Sequence, residues 1–150
     1  MSAHIENFQQ RTADFLDALA LIPDRKRTEA PDGEWSAAFV VHHTADAELH
    51  FAARYLNILG SDNPTMVYFD EDRYPEALHY DKRSLSKSLA SIAGIRSMIQ
   101  EILSTIDEAA LSRTTHTEDG VSYTLADLLA KADSHMAAHT EQLKGLAASL

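Results

Sequence analysis

The stretch Thr124-Leu-Ala-Asp-Leu-Leu-Ala-Lys-Ala-Asp-Ser-His-Met-Ala-Ala-His-Thr-Glu-Gln-Leu143 decides the fold of this chain. Its apolar positions recur at alternating spacings of four and three residues, which is typical of the interior face of an amphipathic helix. These positions, with one histidine among them, are Leu125, Leu129, Ala132, Met136, His139, Leu143 and Leu146. Thr124 and Asp127 have the spacing of a capping box, so the helix is predicted to begin there. His139 is the polar member of an otherwise apolar face, and His135 precedes it by one helical turn.

Three more helices follow from the same kind of pattern. The first carries an apolar face over residues 5–22 and stops at Pro23-Asp24. The second is capped by Ser36 and runs to about Leu59, just before Gly60. The third, over about 84–107, contains no histidine, and its apolar spacing indicates a structural role.

These four helices predict an all-α fold, an antiparallel four-helix bundle that forms one domain over residues 1–150. Alternating apolar residues, the mark of a strand, are absent except in a short segment around 116–123. The connection between helices two and three, about Gly60 to Arg83, is longer than a bundle requires. It is rich in aromatic and acidic residues, so we expect an ordered crossover loop that covers one end of the bundle.

Composition narrows the class of protein. The 150 residues include 23 acidic and 13 basic side chains, a formal net charge of -10 that would repel nucleic acid. No apolar run approaches the roughly 20 residues needed to span a membrane, and the N-terminus does not resemble a secretion signal. We therefore expect a cytoplasmic protein that binds neither nucleic acid nor membrane. Cysteine is absent, so any thiol chemistry needs an external thiol.

The histidines point to a metal site. His135 and His139 lie on one helix face, and burying two imidazoles is costly unless each is hydrogen-bonded or bound to a cation. A third ligand can come from helix two, where His42 and His43 point about 100° apart. The neighbouring residues mildly favour His43 without excluding His42. Three imidazoles suit Zn²⁺ or Ni²⁺ and leave a coordination position open for chemistry.

Carboxylates and further histidines can support such a site. The ring nitrogens that do not bind metal need hydrogen-bond partners, for which Asp46, Asp133 and Glu141 are candidates. If the reaction is hydrolysis, a general base is also needed, and the candidates are His50, Asp46 and Glu48.

The chain resembles the DinB-like superfamily, and most closely its YfiT-like branch of metal-dependent hydrolases and bacillithiol-type transferases. The resemblance rests on three segments: residues 34–48, which include Trp35 and His43; Asp62-Asn-Pro-Thr65; and residues 124–129, which lead into the H-x-x-x-H motif. It implies that the metal ligands are His43, His135 and His139. It also implies a homodimer, and a pocket near the long crossover that places Tyr68, Asp70, Tyr74 or His116 close to substrate.

The function expected from these features is that of a metal-dependent enzyme with a three-histidine site for a divalent ion, Zn²⁺ or Ni²⁺. It would add an external low-molecular-weight thiol, through its sulfur, to a small electrophilic substrate, or hydrolyse a small substrate. The absence of cysteine is consistent with an external thiol nucleophile. The alternative is a non-catalytic helical dimer that binds a ligand or a partner protein, in which the histidines are structural.

Overall fold

The computed structural model describes residues 3–150, with side chains described from residue 5 onward. In this part of the chain, apart from short 3-10 turns, the structure has five α-helices and one small hairpin: α1 Ala3–Ala20, α2 Ala37–Gly60, the short α3 Tyr74–Ala77, α4 Leu85–Thr105, β1 Thr114–His116, β2 Ser122–Thr124 and α5 Leu125–Ser149. Helices α1, α2, α4 and α5 form the bundle. The predicted all-α four-helix fold with a long crossover is therefore confirmed.

Local capping explains where the long helices begin. Thr124 Oγ1 accepts a hydrogen bond from the Asp127 backbone N–H at 3.0 Å, and Asp127 Oδ2 accepts one from the Thr124 N–H at 2.8 Å. This is the predicted capping box of α5. Ser36 and Ser84 cap α2 and α4 with their hydroxyl oxygens. The predicted starts of these three helices are therefore correct.

Two apolar clusters stacked along the bundle reveal the helix directions. One cluster joins the beginnings of α1 and α5 to the later halves of α2 and α4, and the other joins the remaining halves. Antiparallel packing, as expected from the sequence, therefore holds for α1 against α4 and α2 against α5. The pairs α1/α5 and α2/α4 run parallel. His42 contacts Ser88 and Glu48 contacts Arg96, so residue numbers on α2 and α4 increase together.

The parallel arrangement of α2 and α4 explains the long crossover. After α2 the chain must return over the length of a 24-residue helix, about 36 Å, before α4 can begin. Residues 61–84 make this return along α2 and include α3 and two 3-10 turns. Backbone hydrogen bonds between residues 64–66 and His116 tie its first part to the β1–β2 hairpin.

Candidate metal centre

Three histidines converge between α2 and α5. His43 Nε2 lies 2.9 Å from His135 Nε2, which lies 3.1 Å from His139 Nε2. Within the described residues, these three side chains form a group whose ligand atoms all lie within 4.8 Å of one another. The helical register brings His135 and His139 together, and the antiparallel packing of α2 against α5 adds His43. The side chain of His42 points away, toward Ser88 on α4.

The spacing of the nitrogens matches that of metal ligands. Zinc binds histidine nitrogen at about 2.0–2.1 Å, so two nitrogens at a right angle about the ion lie about 2.9 Å apart, and about 3.3 Å at the tetrahedral angle. The observed separations of 2.9 and 3.1 Å lie close to the right-angle value. Three histidine ligands would leave at least one coordination position of such an ion, its open side, to another ligand.

Burial keeps these imidazoles neutral. Desolvation, aided by the neighbouring histidines, lowers the pKa of His43 to about 4 and that of His135 to about 3. Burial also lowers the pKa of His139, although the Gln142 hydrogen bond and the charge of Glu71 oppose the shift. Each ring therefore offers a lone pair at neutral pH, which is the form that binds metal.

The three histidines do not carry enough ring protons to give every nitrogen of the cluster a hydrogen-bond partner. His139 Nδ1 lies 2.8 Å from Gln142 Oε1 and must donate to it, so the neutral ring has its lone pair on Nε2. His135 Nε2 contacts two other Nε2 atoms, while its Nδ1 is buried without a partner among the described residues. One N–H cannot satisfy both nitrogens of His135. A cation that accepts all three Nε2 lone pairs resolves the conflict between the clustered atoms, so the donor set fits a divalent ion.

The hydrogen-bond partner of the cluster is Gln142, which the sequence did not suggest although it lies one turn after His139. The carboxylates proposed for that role are engaged elsewhere. Asp133 accepts from Arg11 at 2.9 Å, and Glu141 accepts from Lys144 at 2.8 Å.

The carboxylates predicted as general bases belong to structural pairs. Asp46 accepts two hydrogen bonds from Arg83, at 2.6 and 2.7 Å, and a third from the Tyr80 hydroxyl at 2.7 Å. Glu48 Oε2 accepts from Arg96 Nη1 at 2.9 Å, with both side chains almost fully buried. Neither carboxylate is directed at the histidine cluster.

The two other histidine candidates lie in different surroundings. His50 Nε2 is 2.9 Å from the Tyr74 hydroxyl, and its ring stacks on Phe69 at 4.0 Å between centroids. It therefore anchors the crossover to α2. His116 lies in β1, where its backbone pairs with residues 64–66 in the first part of the crossover. The structure does not bring His116 to the cluster.

The crossover residue that reaches the cluster is Glu71, which the sequence did not indicate. Its Oε2 lies 3.7 Å from His43 Nε2. Of the crossover residues expected near substrate, Tyr68 is 83% exposed, Asp70 precedes the 3-10 turn that carries Glu71, and Tyr74 contacts His50. Glu71 thus brings the crossover beside the cluster, while the expected positions of Tyr68, Asp70 and Tyr74 near substrate stay a prediction.

A cleft opens beside the histidines. It has a volume of about 510 Å³ and is lined by Gly33, Glu34, Trp35, His139 and Gln142. The indole of Trp35 lies 5.2 Å from the ring of His43, centroid to centroid. His139, one member of the cluster, is thus accessible from the side of the loop between α1 and α2.

Among the helices that the structure describes, none combines the length and the apolar character needed to span a membrane.

Curated relatives share most of this chain. A protein of Geobacillus kaustophilus named "Putative metal-dependent hydrolase" is 27% identical over 139 residues, which cover 89% of this chain and 76% of that protein. A protein of Bacillus mycoides with the same description is 27% identical over 126 residues, 81% of this chain and 72% of its own length.

Solved structures share the fold. YfiT from Bacillus subtilis, described as a probable metal-dependent hydrolase with an unusual four-helix bundle topology, matches 95% of this chain and 87% of its own, with a TM-score of 0.80 and 23% identity. A mycothiol-dependent maleylpyruvate isomerase matches 93% of this chain and 59% of its own, with a TM-score of 0.75 and 14% identity. The DinB superfamily model matches residues 7–143. The chain therefore belongs to the DinB superfamily.

Proposed function

We propose that this protein is a metal-dependent enzyme that holds one divalent ion, Zn²⁺ or Ni²⁺, on His43, His135 and His139. The observation that carries the proposal is the convergence of three neutral Nε2 atoms at separations of 2.9 and 3.1 Å. An ion held there would act as a Lewis acid and activate a nucleophile or polarise a substrate at its open side.

The surrounding residues would orient the ligands and admit the substrate. Gln142 fixes the tautomer of His139 and directs its Nε2 at the cluster, a role often taken by a second layer of residues around metals. Trp35 would provide an apolar wall of the cleft, and Glu34 and Gln142 would provide polar contacts.

Hydrolysis of a small substrate is the reaction that the curated relatives favour, because both carry the description of a metal-dependent hydrolase. Transfer of an external low-molecular-weight thiol is the second candidate. It is supported by the likeness to a mycothiol-dependent isomerase and by the absence of cysteine from this chain. The two reactions are separated by testing turnover of electrophilic substrates with and without added bacillithiol or mycothiol. Thiol transfer requires the thiol, whereas hydrolysis proceeds without it.

Elemental analysis of protein purified without a histidine tag tests the metal site. We expect about one equivalent of Zn or Ni in the native chain and its loss in His43→Ala, His135→Ala and His139→Ala. The matched control is His79→Asn, because His79 is exposed and asparagine tolerates its left-handed backbone, φ 50°. Native protein that holds no ion, and takes up neither added Zn²⁺ nor Ni²⁺, would favour the non-catalytic helical dimer instead.

A homodimer is part of the same proposal. It is supported by exposed apolar side chains on one face of α2, Leu49 at 58% and Leu56 at 43% exposure, seven residues apart. Light scattering coupled to size exclusion measures the mass of the particle. Replacement of both leucines by lysine should give a monomer.

A further inference from the structure

The open side of the histidine cluster carries a carboxylate. Glu71 Oε2 lies 3.7 Å from His43 Nε2, the same nitrogen that lies 2.9 Å from His135 Nε2. Glu71 therefore stands on the side of the imidazoles toward which the Nε2 lone pairs point, where a metal ligand from solution would bind. Its side chain is 53% exposed and borders solvent.

The contact between Glu71 and His43 is not a hydrogen bond. The separation of 3.7 Å between Glu71 Oε2 and His43 Nε2 is too long for one. Glu71 is also outside the group of atoms close enough to share one ion. The carboxylate is thus positioned beside the ion site, and no described side chain donates a hydrogen bond to it.

Glu71 is held in place from both sides of its own segment. Two residues before it, Phe69 stacks on His50 with ring planes within 3° of parallel. Three residues after it, the Tyr74 hydroxyl lies 2.9 Å from His50 Nε2. Because both anchors rest on one residue of α2, the turn that carries Glu71 has a defined position over the cluster.

The charges around the open side are mostly negative. The cleft next to His139 contains Glu34 and no lysine or arginine among its lining residues. Of the nearby arginines, Arg83 binds both oxygens of Asp46, and Arg54 donates to a backbone carbonyl. The segment that carries Glu71 reads Asp70-Glu-Asp-Arg73, so its three acids outnumber its one base, and an anion that enters from solution meets a net negative charge there.

We infer that the open side selects a neutral or cationic small molecule that presents an N–H or O–H donor to Glu71, and that it disfavours small anions. The inference rests on the proposed metal site and names the class of ligand for it. A carboxylate near the bound ligand repels a negative charge and accepts a hydrogen bond from a donor. Because Glu71 is half exposed, solvent screening limits the effect to about fivefold to tenfold in affinity.

The test uses the full chain loaded with Co²⁺, whose visible absorption changes when a ligand binds the ion. Azide serves as a small anion, and hydroxylamine, studied under argon, as a neutral ligand with donors beside its binding atom. In Glu71→Gln we expect azide to bind about fivefold to tenfold more tightly than in the native protein, and hydroxylamine to bind more weakly. Glu76→Gln, which removes an equal charge from an exposed position on α3, should change neither Kd.

Stoichiometry is measured before the titrations, which separates the two levels of the argument. A native protein that binds no Co²⁺ overturns the proposed function and this inference together. If the native protein and Glu71→Gln each hold one equivalent of Co²⁺ but bind azide equally, the metal site stands and the role of Glu71 is wrong. An equal gain of azide affinity in Glu76→Gln would also overturn it, because net charge alone would then explain the effect.

Discussion

Helix α2 buries polar side chains on two sides, and the two sides differ in the charges that meet there. Toward α4, Glu48 pairs with Arg96, which also donates to the Phe8 carbonyl at 2.7 Å and to the Thr12 hydroxyl. Toward α5, His43 contacts His135 and His139. The ring nitrogens of these three histidines cannot all be hydrogen-bonded to one another.

The difference distinguishes a structural ion pair from the proposed metal site. The Glu48–Arg96 pair joins opposite charges, and although burial raises the pKa of Glu48, the guanidinium opposes that shift. The histidine cluster joins like groups, and each lowers the tendency of the next to take a proton. Glu48 Oε1 is also buried without a hydrogen-bond partner, but that carboxylate already has Arg96 as its counter-charge. The histidine nitrogens converge on one another instead, an arrangement that the proposed divalent ion would complete.

The largest effect expected on either side is the loss of Arg96. Arg96→Met leaves the Glu48 carboxylate buried without its counter-charge, so we expect the free energy of unfolding to fall by about 3–5 kcal/mol. Urea unfolding followed by circular dichroism measures the loss.

The double variant Arg96→Met/Glu48→Leu provides the control. Replacing both charges by apolar side chains should recover most of the stability, because no charge is then left buried. The metal content of the double variant should equal that of the native chain. A parallel loss of metal would contradict the view that the two sides of α2 are independent.

Removal of the metal should cause the next largest loss of stability. The loss should require the intact histidine cluster between α2 and α5. An ion that binds only the folded state at 100 to 1,000 times its Kd stabilises that state by about 2.7–4.1 kcal/mol. Chelation should therefore lower the stability of the native protein by this amount and leave that of His135→Ala unchanged. Thermal unfolding with and without a chelator measures both. An equal response in the variant would mean that the ion binds elsewhere.

Much of the fold was predictable because it is local. The apolar face and the capping box of α5 are encoded within one segment, and both are found as predicted. Helix direction was not predictable in this way. Apolar periodicity shows which face of a helix is buried, but it does not show which helix packs against that face. The length of the crossover was the available signal, because a parallel pair such as α2 and α4 requires a return of one helix length.

The residues of the candidate sites also differ in whether the sequence alone could reveal them. Spacing identified His135 and His139, while the choice of His43 over His42 depended on family resemblance. The spacing of Ile92, Arg96 and Ile99 places an arginine on the buried face of α4, a signal that could have revealed the ion pair with α2. Glu71 could not have been identified, because its position depends on contacts between the crossover and His50, distant in sequence.

A smaller and local effect is expected where the crossover joins α2. Asp46→Asn removes the charge that binds Arg83 and weakens the acceptor for Tyr80, at a cost of about 1–3 kcal/mol. The effect should concentrate in residues 69–83, so hydrogen exchange followed by mass spectrometry should show faster exchange there than in α5. Uniformly faster exchange across the bundle would instead mean that Asp46 supports the global fold.

The smallest effect should separate orientation of a ligand from ligation itself. Gln142→Leu removes the acceptor for His139 Nδ1–H while leaving all three histidines in place. Partners of this kind are worth about tenfold to a hundredfold in metal affinity, and we expect the lower end because Gln142 is a neutral amide. Competition with a chromogenic chelator gives the Kd, and Gln142→Glu should restore affinity because a carboxylate accepts the same hydrogen bond more strongly. If Gln142→Leu bound metal as tightly as the native chain, the helix packing alone would orient His139. Metal affinity would then depend on the three Nε2 atoms that face one another, and not on the hydrogen bond between His139 Nδ1 and Gln142.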